Sequence, residues 1–326
     1  MKIDYQILAD GADVTAQFRT RLVGISIIDE AGQKSDVATI EVDDRNNEVA
    51  IPPIGAKLEI ALGYVGDLTT LGQFIVDDVS GTIGTETMSI GAKAADMLGG
   101  IRAPKTRSWH DVTLGELVAK IAGENDLKPQ VAESLKSTLF NYIAQTSESD
   151  LNLLTRLAKN LDAVAKPAGG SLLFLKRGEG KSADGKDLPV FDIDRSDIDT
   201  GSWKLPGRTK YEKVTAEWAE NGSATVHQVH AGTGKPVQKL RERFATKAEA
   251  ERAAQSALDK SKRGTATINI RLGGFRGDLM AEAKVNLTNI KPEMTGEWLI
   301  TQVQHQLGTS LRTSFRAERN HEATQA

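Results

Sequence analysis

The sequence predicts a mainly β chain of the α+β class, with two barrel-like strand regions and an inserted mixed α/β region. Three observations predict it. Short runs of alternating apolar residues, punctuated by glycine, dominate both ends of the 326-residue chain. Helical spacing with capping signals is confined to a few segments. A pattern of strand, glycine turn and long strand near residue 57 returns near residue 284.

The first region, 1–95, reads as strand upon strand. Leu58-Glu59-Ile60-Ala61-Leu62, Gln73 through Val79 and Thr87-Met88-Ser89-Ile90 alternate or cluster apolar side chains. Pro52-Pro53 before Gly55 marks a turn entering the sheet, because proline has no donor for a central strand. The middle region, 96–210, mixes types. Thr113 and Glu116 form a capping box, Leu114, Leu117, Val118 and Ile121 follow at helical spacing, and Gly123 offers a left-handed C-cap. A second helix is expected from Ser147 or Ser149, with Leu151, Leu154, Ala158 and Leu161 on one face, ending before Pro167. Leu172 to Leu175 then reads as a short buried strand. The last region, 211–326, is expected to be a second barrel. Its strands lie at Lys213–Trp218, Ala224–His227 and Ile268–Leu272, and one helix falls at about 246–263, capped by Thr246 and Glu249.

The internal echo pairs Lys57-Leu58-Glu59-Ile60 with Lys284-Val285-Asn286-Leu287. It also pairs Gly72-Gln73-Phe74-Ile75-Val76 with Gly296-Glu297-Trp298-Leu299-Ile300, each with an aromatic third from its glycine. At this level two explanations stand, a duplicated barrel or the chance likeness of two β-rich segments.

Composition narrows the function classes. Hydrophobic residues at 39% and charged residues at 26% suit a packed globular chain. Lysine and arginine total 41 against 44 acids, a net charge of -3, so no basic excess points to nucleic acid. Without cysteine there is neither a disulfide framework nor thiolate metal ligation. The polar N-terminus does not read as a signal peptide, and nothing approaches the roughly 20 apolar residues of a membrane helix, so no membrane insertion is expected.

Candidate chemistry is thin. Gly180-Lys181-Ser182-Ala183-Asp184-Gly185-Lys186 fits a phosphate loop, but Asp187 stands where Ser or Thr would ligate magnesium, and Leu188-Pro189-Val190 leads into a strand rather than a helix. Asp192, Asp194, Asp197 and Asp199 could attract a hard cation, yet their alternation with Phe191 and Ile193 suggests a strand with solvated acids. His227 and His230 fall on opposite faces of a strand and cannot share a metal. Trp109-His110-Asp111 precedes a capped helix, where Trp109 can pack as a staple and Asp111 can complement the helix dipole. Arg276-Gly277-Asp278 spells an adhesion tripeptide beside a Gly273-Gly274 turn and is assigned no function. No nucleophile elbow, zinc-protease motif or dinucleotide fingerprint occurs. No catalytic, cofactor-binding or metal residue is therefore assigned. Two rivals to a structural role are a cell-wall hydrolase built on paired carboxylates and a DNA-binding regulator. The helix at 246–263 mixes Glu249, Glu251 and Asp259 with its basic residues, which suits a solvated or docking face better than a phosphate grip.

Several segments, taken in order, resemble the late control protein D family, the hub proteins of contractile phage tails, related to the N-terminal region of type VI secretion spike proteins. They are Ile51 to Leu58, Leu71 to Val79, Ala94 to Leu98, Trp109 to Gly115, Ser149 to Ala158, Asp162 to Gly170, Gly296-Glu297-Trp298 and Val303-Gln304-His305. The resemblance implies a non-enzymatic homotrimer with two similar barrels per subunit. These would form a pseudo-sixfold ring that seats on a hexameric tail tube and offers its threefold face to a trimeric central spike. Tape measure and other baseplate proteins are further candidate partners. The expected location is the baseplate centre of a virion or tail-like particle, assembled in the host bacterial cytoplasm. Asn320 to Ala326 reads as a polar tail, and a spike or wall-degrading part is expected on separate proteins.

Overall fold

The computed structural model describes residues 2–31, 36–94, 100–168, 170–176, 188–205, 211–219, 225–262 and 265–320. The first unit contains β1 (Ile3–Ala9), β2 (Ala12–Asp13), a single helical turn α1 (Thr15–Phe18), β3 (Leu22–Glu30), β4 (Val37–Asp43), β5 (Lys57–Tyr64), β6 (Asp67–Thr82) and β7 (Thr87–Ala94). Its six long strands hydrogen-bond in the order β1-β5-β6-β7-β4-β3. The end strands β1 and β3 both feed one core, through Ile7 on one side and Ile25 and Ile27 on the other. That shared core requires a sheet curled into a barrel.

An inserted unit follows: β8 (Pro104–Thr113), α2 (Leu114–Gly123), β9 (Lys128–Val131), the short helix α3 (Glu133–Lys136), β10 (Leu139–Ser149), α4 (Asp150–Asn160), β11 (Ala163–Ala168) and β12 (Ser171–Lys176). Leu114, Leu117, Val118 and Ile121 of α2 and Leu153, Leu154 and Leu157 of α4 meet in one core with Phe174. Both expected helices form, and both N-caps work as expected. Thr113 Oγ1 accepts from Glu116 N–H while Glu116 Oε2 accepts from Thr113 N–H, and Ser149 Oγ accepts from Asn152 N–H. One stop signal differs from expectation: Gly123 ends α2 in helical conformation and the left-handed residue is Asp126. Helix α4 ends at Asn160, before Pro167 as expected, and Pro167 lies in β11 opposite Leu172.

The second barrel contains β13 (Val190–Asp194) and β14 (Ile198–Lys204). After an excursion through β15 (Lys213–Trp218), β16 (His227–Gly232), β17 (Val237–Phe244) and α5 (Lys247–Lys262), it resumes with β18 (Thr265–Leu272), β19 (Lys284–Thr288), β20 (Gly296–Leu307) and β21 (Leu311–Asn320). The boundary expected at 210/211 needs correction on this point. Strands β13 and β14, placed in the middle region by sequence, supply the two end strands of the second barrel. Strands β15 to β17 and α5, placed in that barrel, instead make a second small unit with its own core of Val214, Ala216, Phe244, Ala250, Ala254 and Leu258. The physical reason is a hairpin: Lys204 sits opposite Thr267, so everything between them leaves and re-enters the sheet at one point. Of the expected strand at Ala224–His227, Ala224 lies outside the described residues, and β16 begins at His227. The Gly264 helix stop lies outside the described residues.

The second barrel's strand order is β13-β19-β20-β21-β18-β14. Chain order and neighbour order both match the first barrel, with β1, β3, β4, β5, β6 and β7 answering to β13, β14, β18, β19, β20 and β21. The register repeats as well. Leu58 opposes Phe74 and Ile60 opposes Gly72, just as Val285 opposes Trp298 and Leu287 opposes Gly296. An irregularity falls between Val76 and Asp78 in one half and between Ile300 and Gln302 in the other. Gly72 and Gly296 both have positive φ, 144° and 106°. Phe74 and Trp298 are both buried in their barrels. One difference remains: β1 joins β5 antiparallel, whereas β13 joins β19 parallel. Matching bulges and registers across this many pairs decide between the two explanations of the echo in favour of duplication, because chance likeness of two β segments gives no reason for bulges to coincide.

Candidate assembly surface

The two barrels are fused through one strand pair. The C-terminal half of β20 hydrogen-bonds β3 antiparallel, with Gln302 opposite Glu30 and Leu307 opposite Ile25. Leu307 and Leu311 thereby enter the core of the first barrel. The pairing makes a 13-stranded sheet of both halves. Along this joint one face is apolar (Ile25, Ile27, Leu307), while the other carries Ser26, Gln304 and Gln306, with Gln304 Nε2 donating to Ser26 Oγ over 3.0 Å.

A charged cluster ties the first insertion to both barrels. Lys166 Nζ donates to the Glu30 carbonyl at 3.3 Å and lies 3.7 Å from Glu282 Oε1. Asp29 Oδ2 accepts from Ala281 N–H, and Asp36 Oδ1 accepts from Glu30 N–H. Burial, reinforced by the Asp29 charge and opposed by Lys166, pushes the Asp36 carboxyl up to about 6. Raised carboxylates are what a hydrolase would need. Here, however, both oxygens named above are committed to backbone N–H groups at the meeting of three units, the arrangement of a structural tie. Inside the insertion, the fully buried Asp150 accepts from Arg107 Nη2 (2.7 Å), Lys105 Nζ (2.6 Å) and Gln145 Nε2 (2.8 Å).

The motifs weighed in the sequence are distributed as follows. Residues 180–187 lie outside the described residues. The acidic run is consumed locally. Asp192 accepts from Asn286, Asp194 caps a 3-10 turn and accepts from Ser196 and Thr288, Asp197 Oδ2 accepts from Asp194 N–H, and Asp199 pairs with Arg312. The backbone N–H of Ser196, with Asn289 and other donors, holds the Asp194 carboxyl well below its usual range. Among the described residues no three metal-ligating side chains come together. His227 stacks on Trp218, whereas His230 on the other face bonds Thr215. Trp109 is a core residue whose Nε1 donates to Gln145, under the Arg107 guanidinium, and not a surface staple. Arg276 closes on Asp278 through two hydrogen bonds of 2.9 and 2.8 Å, so the tripeptide binds itself.

Sequence reasoning missed the strand edges left open in the joined sheet. Among the described residues, β14 hydrogen-bonds only β18, and the far half of β6, beyond Val76, bonds only β7. Each free edge carries a large exposed apolar side chain, Trp203 on β14 and Ile83 just past β6. An available signal was the turn Ile83-Gly84-Thr85, repeated as Leu307-Gly308-Thr309.

The chain is thus a duplicated barrel with two small inserted units and open strand edges. A family model described as phage tail baseplate hub matches residues 37–311, and the chain belongs to that family. It is 32% identical to a probable baseplate hub protein of Escherichia phage 186, covering 94% of this chain and 90% of that one. Its fold is that of a tail protein from Neisseria meningitidis MC58, with a TM-score of 0.70 at 11% identity, covering 98% and 97% of the two chains. It also resembles a component of the Escherichia coli type VI secretion system, with a TM-score of 0.57 at 13% identity, covering 99% of this chain and 78% of that one.

Proposed function

We propose that this chain works as a homotrimeric adaptor at the centre of a contractile tail baseplate, joining a hexameric tail tube to a trimeric spike. The observation that carries the reading is the duplication: one chain holds two barrels with the same strand order, register and bulges. Three such chains present six near-equivalent barrels to a sixfold tube while keeping true threefold symmetry for a spike. The inserted units break the equivalence. One stands between the barrels and the other on the β14–β18 hairpin, where the matching β3–β4 hairpin has only the segment 31–36. This difference gives one side of the ring its threefold character. In this role the chain carries out no catalytic step and assembles in the host cytoplasm, with tape measure and other baseplate proteins as further partners.

The test is the mass of the purified protein, alone and mixed with the tube and spike proteins of the same particle. A trimer, or a monomer that enters a 3:3 complex with the spike, is the expected result. A monomer that ignores both partners overturns the proposal.

A further inference from the structure

The two barrels agree in strand order and register but not in the charge of their polar faces. On the second barrel, Arg271 of β18 and Arg312 and Arg316 of β21 are exposed on the face turned away from the core, alternating with the buried Ile270, Leu272, Leu311 and Phe315. Arg271 stands opposite Ser314, so Arg312 and Arg316, two residues to either side, are its diagonal neighbours at about 7–8 Å. In the matched register these three arginines answer to Glu41, Thr87 and Gly91 of the first barrel. The uncharged positions keep their character: Asn269 answers to Thr39, Ser314 to Ser89 and Ser202 to Ser26. The cations thus belong to one barrel and are not a by-product of the sheet.

Two open polar cavities, of about 370 and 500 Å³, adjoin on this face and share Arg271 and Ser314. Arg316 lines one of them with Asn269, Gln302 and Gln304, and Arg312 lines the other with Gln306 and Ser310. Among the described residues no carboxylate lines either. Asp199, which reaches Arg312 at 3.5 Å, and Glu318, next on this face of β21, stand outside both. The guanidinium groups of Arg271 and Arg316 have neither an ion pair nor a hydrogen-bond acceptor among the described residues.

We propose that this face binds the phosphodiester backbone of nucleic acid without reading its bases. Guanidinium forks bond phosphate oxygens in pairs, and Ser, Asn and Gln are among the side chains that join them at phosphates. Three cations in a zigzag suit a polymer of repeated charge better than a single anion. Base reading has no instrument here, because strands alone build the face and Phe315, the aromatic lining it, is buried in the core. An acidic protein segment is the other polyanion, but it would need apolar anchors, and Phe315 is the one apolar side chain lining the two cavities. The whole-chain balance of 41 basic against 44 acidic residues hides the patch, since the balancing acids lie elsewhere. Contact through phosphates alone is loose and sensitive to salt, and lets a bound chain slide. This goes beyond the adaptor reading and does not depend on it.

The probe is a short fluorescent DNA duplex of mixed sequence, titrated with the full chain and followed by anisotropy at rising potassium chloride. The parent should bind it at low salt, and bind a second, unrelated sequence equally well. Arg271→Gln/Arg312→Gln/Arg316→Gln should keep the parent circular dichroism, lower the affinity at least tenfold and reduce the slope of log affinity against log salt by about 2–3. Arg271→Glu, which gives the second barrel the charge that Glu41 gives the first, is an independent variant and should also lower the affinity at least tenfold. Lys128→Gln/Lys136→Gln/Lys247→Gln removes the same charge from exposed sites on the inserted units and should change neither quantity appreciably. A parent that ignores the duplex at low salt overturns the inference and leaves the adaptor reading untouched. Equal losses in the arginine and lysine variants also overturn it, because net charge alone would then explain the attraction. Displacement of the duplex by polyglutamate at equal charge overturns it in favour of an acidic protein segment, and displacement by inorganic phosphate at equal phosphate overturns it in favour of a small anion.

Discussion

Asp36 and His305 act on stability in opposite senses over the same pH range. The Asp36 carboxyl, pushed up to about 6 mainly by burial, stays protonated in the folded chain where the unfolded chain, with an ordinary pKa near 3.8, has lost its proton. Stability therefore falls as pH rises from 3.8 through 6 and then levels off. Asp36→Asn keeps an oxygen for the Glu30 N–H and removes the ionisation. It should stabilise the protein by on the order of 1–3 kcal/mol at pH 7.5 and by little at pH 4, read from urea melts at the two values. Equal stability at pH 7.5 would contradict this account. Burial, partly offset by Asp278, lowers His305 from 6.5 to about 4. Its contribution is thus present above pH 6.5 and is lost as pH falls through 4, so His305→Gln should flatten the acid limb of the same melts. Asp150 acts through charge pairing. Asp150→Asn leaves Arg107 and Lys105 to share the Glu124 carboxylate beside a buried amide, and should cost about 3 kcal/mol.

At the scale of elements, the two long strands β6 and β20 carry corresponding glycines, Gly72 within β6 and Gly296 at the start of β20, that cannot be exchanged freely. Alanine at Gly296 meets only Arg319, at 3.8 Å, so its cost is backbone strain of about 1–2 kcal/mol at a φ of 106°. Alanine at Gly72 adds a contact of 3.2 Å with the Phe74 ring to a φ of 144°, and should cost more. Comparing the two melting points checks this, and a larger loss at Gly296 would refute it. The second inserted unit has a small core, and its strands β15 to β17 form a separate sheet from the barrels. Its amides should exchange with solvent faster than those of β18 and β20, as a unit of lower local stability.

For the whole molecule, the hairpin origin of that unit makes it separable. Because Lys204 and Thr267 are opposite one another, replacing 206–264 with a short glycine-rich turn closes the β14–β18 hairpin as 31–36 closes β3–β4. The shortened chain should still fold with a cooperative melt, seen by calorimetry. Failure to fold would mean that the second barrel depends on this unit. The face of the first insertion carrying Phe140 and Leu161, which shares a cavity with Phe244 and Arg252, would then be bared.

The sequence by itself determined the mainly β class, the three N-caps, the core faces of α2 and α4 and the family likeness. These depend on spacing within a few residues, and Thr113 with Glu116 or Leu117 with Ile121 needs no distant partner to be read. It also carried the duplication, as Gly72-Gln73-Phe74 beside Gly296-Glu297-Trp298, without deciding it. Only the tertiary structure decided that residues 190–204 belong to the second barrel and 211–262 do not, because strand partners are chosen by register across long separations and leave no local mark. Trp109 became core for the same reason: β8 extends through it to pair with β10. The repeated turn Ile83-Gly84-Thr85 and Leu307-Gly308-Thr309 marks corresponding strand ends in sequence, but that the edges of β6 and β14 stay open is decided only in three dimensions, since a strand's free side is defined by what fails to pair with it.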